Sequence, residues 1–118
     1  MGKRAIVHLE IPSSDREVTA SFYADLFGWD YDHIDDPMPY TTWTGENIGG
    51  GYTEVGEHYN AGEVLVYVAS EDIDADLEKA ESLGGKVLIP RREIPGVGWM
   101  GAFADPTGNR IALFTGMG

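Results

Sequence analysis

Apolar and polar positions alternate strictly near the start of the chain. Ala5, Val7, Leu9 and Ile11 fall on one side, and Ile6, His8 and Glu10 on the other, which is the period of a half-buried strand. Past Pro12 the period changes. Val18, Phe22 and Leu26 recur at i, i+4 and i+8, with Phe27 widening the stripe, so a helix with that face buried is predicted. Ser14 and Glu17 have the spacing of a capping box at its start, and Gly28 is a natural stop. Strand-like runs follow over 29–34, 40–44 and 48–53, with Pro37, Pro39 and Gly45 as breaks.

The second half repeats this order. Across 63–69, Val64, Val66 and Val68 alternate with Leu65 and Tyr67. Ser70, Glu71 and Asp72 offer caps and first-turn acids, Ile73, Leu77 and Ala80 form a helical stripe, and Gly84-Gly85 ends it. Three more strands are predicted over 86–89, 98–104 and 110–115. The pattern is an α+β domain spanning 1–118. It is built from two βαβββ modules, 4–54 and 63–116, joined by a linker over 55–62 that contains Gly56, Asn60 and Gly62. Each module has one helix to cover one sheet face. The uncovered faces of two such sheets, set side by side, predict a curved, half-open mixed barrel with a concave ligand cleft.

Charge narrows the range of partners. Twenty acidic residues stand against eight basic ones, a net charge of −12 over 118 residues. Such a surface repels phosphate backbones and anionic lipid, so neither nucleic acid nor a membrane is expected as a partner. The absence of Cys excludes disulfides, thiolate zinc sites and Cys nucleophiles. No apolar run approaches the roughly 20 residues of a membrane span. The first ten residues read as a strand rather than a signal peptide, so a cytoplasmic location is expected.

Several local motifs then coincide. They are the first strand with His8, the helix end Phe22-Tyr23-x-x-Leu26-Phe27-Gly28-Trp29, and Glu71-Asp72-Ile73-Asp74-Ala75. Further along come Leu83-Gly84-Gly85-Lys86-Val87, Ile94-Pro95-Gly96-Val97-Gly98 and Asp105-Pro106-Thr107-Gly108-Asn109. In this order they resemble the vicinal oxygen chelate superfamily, which includes glyoxalase I, bleomycin- and fosfomycin-resistance proteins and extradiol dioxygenases. The resemblance covers nearly the whole chain and is closest to uncharacterised glyoxalase-like members. It implies a divalent ion on the concave face, held by His, Glu or Gln from the first and last strands of each half, acting as a Lewis acid. His8 falls at the first of these positions. The second-half counterpart is Leu65, the last-strand Glu position is Ala112, and the matching strand of the first half runs through Gly49-Gly50-Gly51. One ligand of four remains, and one imidazole does not hold a labile divalent ion. A divalent metal is therefore not the favoured cofactor.

If His8 faces inward, so does Glu10, and the resemblance brings Leu65, Tyr67, Arg110, Ala112 and Phe114 to the same side. Trp43, Tyr52, Trp99 and Phe103 are further candidates for an aromatic cleft. Glu10 is the candidate general base, with His8 as its catalytic neighbour; the alternative is a carboxylate that only pairs with Arg110 or His8. Tyr67, Arg110, Phe114, Trp43, Trp99 and Phe103 are the candidate ligand-binding residues. The run Asp30-x-Asp32-His33-x-Asp35-Asp36 reads as a solvated loop before a surface cation site, His58 as an exposed linker residue, and Arg91-Arg92 as partners for the acidic surface. Gly49-Gly50-Gly51 lacks a P-loop Lys and suits close backbone approach. The leading functional expectation is a glyoxalase- and bleomycin-resistance-like protein that binds a small organic molecule without a complete metal site. The alternatives are a metal-dependent lyase, isomerase or dioxygenase, and a non-catalytic sequestration dimer. Relatives pair their sheets about a two-fold axis, so a homodimer is expected.

Overall fold

Ten elements follow one another in the computed structural model, which describes residues 2–35, 39–57 and 59–117. They are β1 (Ile6–Ser13), α1 (Arg16–Phe27), β2 (Asp30–Ile34), β3 (Tyr40–Thr44), β4 (Gly49–Glu54), β5 (Leu65–Ala69), α2 (Ile73–Ser82), β6 (Lys86–Ile94), β7 (Gly98–Ala104) and β8 (Arg110–Gly116). This is the expected α+β class. The chain forms two compact units. The first is residues 8–65; the second combines the chain up to Val7 with the chain from Val66 onward.

In the first unit the strand order is β2-β3-β4-β1, with β1 parallel to β4 and the other pairs antiparallel. Helix α1 begins one residue later than the Ser14 capping box implies. Asp15 is the cap, its carboxylate accepting from the Val18 N–H at 3.2 Å, while Ser13 Oγ accepts from the Asp15 N–H. The helix ends as expected at Gly28, whose φ of 75° suits a residue without a Cβ.

The expected helix stripe is on the wrong side. Val18, Phe22 and Leu26 are 64%, 57% and 59% exposed. The face turned to the sheet carries Arg16, Ala20 and Tyr23, with Phe27 beside Trp29. Ala20 is wholly buried against Trp43 and Tyr52, and its small size admits the helix close to the strands. Tyr23 stacks on Tyr52 and Trp29, and Trp29 stacks on Trp43 with ring centres 4.2 Å apart. Arg16 donates to the hydroxyl of buried Thr41 at 2.9 Å and ties the first turn down. Stacked aromatic rings and one charged bond thus outweigh three large aliphatic and aromatic side chains in choosing the face. Burial pushes the Tyr52 hydroxyl up to about 12.

The second unit has the order β5-β8-β7-β6, with β5 parallel to β8. Asp72 caps α2 through the Ala75 N–H at 3.0 Å, and Ile73 and Leu77 bury against Leu113, as their spacing implies. A Cβ on Gly101 would lie 2.8 Å from Ile73 Cγ2, so α2 rests directly on the backbone of β7. β6 continues past the expected end at residue 89 to Ile94. Pro90 sits in a register shift between Ile89 and Arg92, where its missing N–H costs the ladder nothing. Arg4 joins this unit. Its guanidinium grips Asp76 through two bonds of 2.7 and 2.8 Å and donates to the Ala69 carbonyl.

Arg4, aided by the Ser70 hydroxyl, holds the Asp76 carboxyl below its ordinary range. Asp105 is held at about 2 by the backbone and side-chain N–H groups of Asn109 and by Thr107, in the turn before β8. Both carboxyls bind protons more readily once unfolded, so their stabilisation is complete above about pH 4 and drains away as pH falls toward 2. Asp76→Asn is expected to cost about 1 kcal/mol at pH 7. The Asp76→Asn, Asp105→Asn pair should flatten the acid limb of Tm against pH in thermal melts; an unchanged limb would contradict this account.

Candidate functional site

Strand alternation sorts the side chains of the first unit. Leu9 and Ile11 pack toward α1, which leaves His8 and Glu10 on the opposite face of β1. On β3, Thr41 and Trp43 turn to the helix, leaving Tyr40 and Thr42; on β4, Tyr52 does so, leaving Gly51. In the ladder Glu10 lies beside Gly51, and Gly51 beside Thr42.

Glu10, His8 and Tyr40 form one cluster. The Tyr40 hydroxyl donates to Glu10 Oε2, and His8 Nε2 bonds to the same oxygen. His8 Nε2 and the Tyr40 oxygen are 3.3 Å apart. Glu10 is only 4% exposed, and a carboxylate withdrawn from water needs such donors. The His8 side chain is 30% exposed, so it is an accessible link to Glu10. A carboxylate at Nε2 favours the tautomer with its proton there and fixes the ring plane. The cluster can orient an imidazole, accept a proton and pass it inward to a buried carboxylate.

Gly51 makes room for it. A Cβ at that position would overlap the Tyr40 hydroxyl and lie 2.8 Å from Glu10 Oε2. The phenol reaches across β4 only because β4 has no side chain there. Close approach was the role expected of this glycine run, and at Gly51 it is made to a tyrosine.

The remaining candidates divide between sheet faces. In the second unit Val68 and Leu113 pack against α2, so Tyr67, Arg110 and Phe114 lie on the face away from it, with Tyr67 in register with Ala112. Leu65 shares the side of Tyr67 by alternation. Trp43, Trp99 and Phe103 stand instead on the strand faces turned to the helices. Trp43 is 2% exposed in the core beneath α1 with Tyr52, on the opposite face from His8 and Glu10. Trp99 and Phe103 pack with Ile73, Leu77 and Leu113 beneath α2. A strand shifted by one residue exchanges its faces, and the helix contacts decide which parity holds.

His33 is a structural neighbour: its Nδ1 bonds to Thr41 Oγ1 at 2.7 Å. Arg91 pairs with Asp74, as expected of the acidic surface. Asp36, Pro37 and His58 lie outside the described residues. No group of three or more His, Cys, Asp or Glu that could hold a metal ion occurs among the described residues. His8 and Glu10 are two donors, one oxygen of Glu10 is shared with a phenol, and Gly51 beside it supplies none. This set does not fit the family's metal centre, which needs three or more protein ligands.

Sequence reasoning does not reach Tyr40. Its signal was present in combination: a tyrosine at the start of a strand, two residues before the one that pairs with a glycine on the next strand.

Residues 5–113 match the family model for the Glyoxalase/Bleomycin resistance protein/Dioxygenase superfamily. CFP32 of Mycobacterium bovis, named as a candidate glyoxylase, is 29% identical over 120 residues, covering 90% of this chain and 43% of its own. The anthracycline biosynthesis protein DnrV of Streptomyces peucetius is 31% identical over 124 residues, covering 89% and 44%. The chain thus spans under half the length of these curated relatives. Among solved structures, methylmalonyl-CoA epimerase from Mycobacterium tuberculosis superposes with a TM-score of 0.71 at 16% identity, covering 96% of this chain and 88% of that one. That likeness is one of fold alone.

Gly51→Ala should expel Tyr40 from Glu10 and cost about 1–3 kcal/mol in urea unfolding. Tyr40→Phe, which removes one donor, should cost about 1–3 kcal/mol as well, and the double variant less than the sum of the two. Strict additivity would separate Gly51 from the Tyr40–Glu10 bond.

Proposed function

The chain belongs to the Glyoxalase/Bleomycin resistance protein/Dioxygenase superfamily, and from that premise we propose that it binds a small organic molecule at the His8–Glu10–Tyr40 cluster, without the superfamily's metal set. The observation that carries this reading is the buried Glu10 carboxylate, built into a sheet face by two donors, one of them a partly exposed imidazole. Buried acids are costly, and one held beside an accessible histidine at a sheet surface marks a functional candidate.

Within this reading His8 is the group that touches the ligand. Glu10 acts through it, as the orienting acid and the inner proton acceptor, and Tyr40 holds Glu10. Glu10 is thereby assigned a role one step further from the ligand than a direct general base would have. On the second unit's strands, Arg110 and Phe114 are proposed for ligand recognition in their own right, on the face turned away from α2, with buried Tyr67 on the same face. The name of DnrV makes polycyclic aromatic compounds the first class to screen.

Two measurements test the reading. A thermal-shift screen of aromatic and carbonyl compounds should find a ligand whose affinity falls roughly tenfold in His8→Ala and Glu10→Gln. Unchanged affinity in both variants overturns it. Protein purified without chelator should carry well under one divalent ion per chain; one tightly held ion per chain would favour the metal-dependent enzyme instead.

We further propose a homodimer, supported by the outward Val18–Phe22–Leu26 stripe of α1, which is a ridge suited to packing against another apolar surface. Sedimentation at micromolar concentration should give twice the mass of the chain, and Phe22→Asp should halve it. A wild-type mass of one chain refutes the dimer.

A further inference from the structure

A cavity of about 380 Å³ opens beside the later half of α2 in the second unit. It shares no residue with the His8–Glu10–Tyr40 cluster and bears on a different function. Its volume is within the range of small-ligand pockets. The floor and walls are hydrocarbon, supplied by Val68, Phe103, Ile111 and Leu113, with Leu83 and Pro106 at the rim.

Four charged residues border it, and three are already committed. Arg4 and Asp76 grip each other through two bonds. Asp105 accepts from Thr107 and Asn109 at 2.9–3.0 Å within its own turn. The Lys79 ammonium makes no side-chain hydrogen bond and no close ion pair among the described residues; Asp76, one helical turn before it, feels its charge only at a distance. In a chain with a net charge of −12, this apolar hollow has at its edge an ammonium that no carboxylate contacts directly.

An apolar wall with one cation beside it complements a molecule with a hydrocarbon body and one negative end. We infer that the cavity is a binding site for a small amphiphilic carboxylate, its body against Val68, Phe103, Ile111 and Leu113 and its headgroup on the Lys79 ammonium. A neutral amphiphile would forgo the ion pair, and a cationic one would meet Lys79 as a like charge.

Octanoate is the probe, with octanol and octylammonium as matched neutral and cationic controls, in titrations of the whole chain followed by methyl and aromatic NMR. Octanoate should saturate a single site and shift the resonances of Val68, Leu83, Phe103 and Leu113. Lys79→Gln, a change at an exposed position, should weaken it roughly fivefold, and Lys79→Glu more. Octylammonium should bind more weakly than octanoate to the wild type and regain affinity in Lys79→Glu. The inference fails if octanoate does not saturate, if Lys79→Gln binds it equally well, if octylammonium matches it, or if the shifts map to residues outside the cavity. None of these outcomes depends on the His8 cluster, so either site can fail without the other.

Discussion

Each sheet presses one face against a single helix, and almost every other assignment in the molecule follows from that contact. Once Ala20 and Tyr23 meet Trp43 and Tyr52, the parity of β1, β3 and β4 is set, and His8, Glu10, Tyr40 and Gly51 are delivered together to the other side. Ile73 and Leu77 do the same for the second unit by settling on Gly101 and Leu113, which sends Tyr67, Arg110 and Phe114 away from α2. Two small residues, Ala20 and Gly101, sit where helix and strand come closest. The tightness of those approaches leaves little latitude for another register.

Much of this was legible without coordinates, because some signals have one physical meaning. Gly28 after a helical run, Asp72 before one, and Pro106 and Gly108 between strands each specify a backbone conformation that few other residues adopt as readily. The period-two runs at 5–11 and 63–69 are equally direct. The face of α1 was not legible. Val18, Phe22 and Leu26 make the heavier apolar stripe, yet ring stacking by Tyr23 and the bond from Arg16 to Thr41 reward the other side, and neither is visible to a count of hydrophobic residues. The faces of Trp43, Trp99 and Phe103 were not legible for a related reason: an aromatic side chain suits a helix-covered core as well as a ligand surface, and only the ladder distinguishes them.

The site gathers its polar groups from neighbouring strands. The imidazole of His8 stands where the resemblance implies a metal ligand, but its neighbours are a carboxylate two residues along the same strand and a phenol from β3. The buried acid is stabilised by protons on oxygen and nitrogen, from the Tyr40 hydroxyl and the His8 ring. Such a cluster is short in range and sensitive to geometry, since both donors converge on one oxygen of Glu10. Its rigidity comes from the sheet, because all the participants stand on strands in register.

That convergence depends on an absence of atoms at position 51. Every glycine codon lies one base from a codon for alanine, valine or an acid, so a single nucleotide change is enough to evict the phenol and leave the inner carboxylate with one donor. An acid arriving by the same route would place two carboxylates side by side. Both the loss of this arrangement and its replacement by a pair of neighbouring acids are therefore one mutational step away.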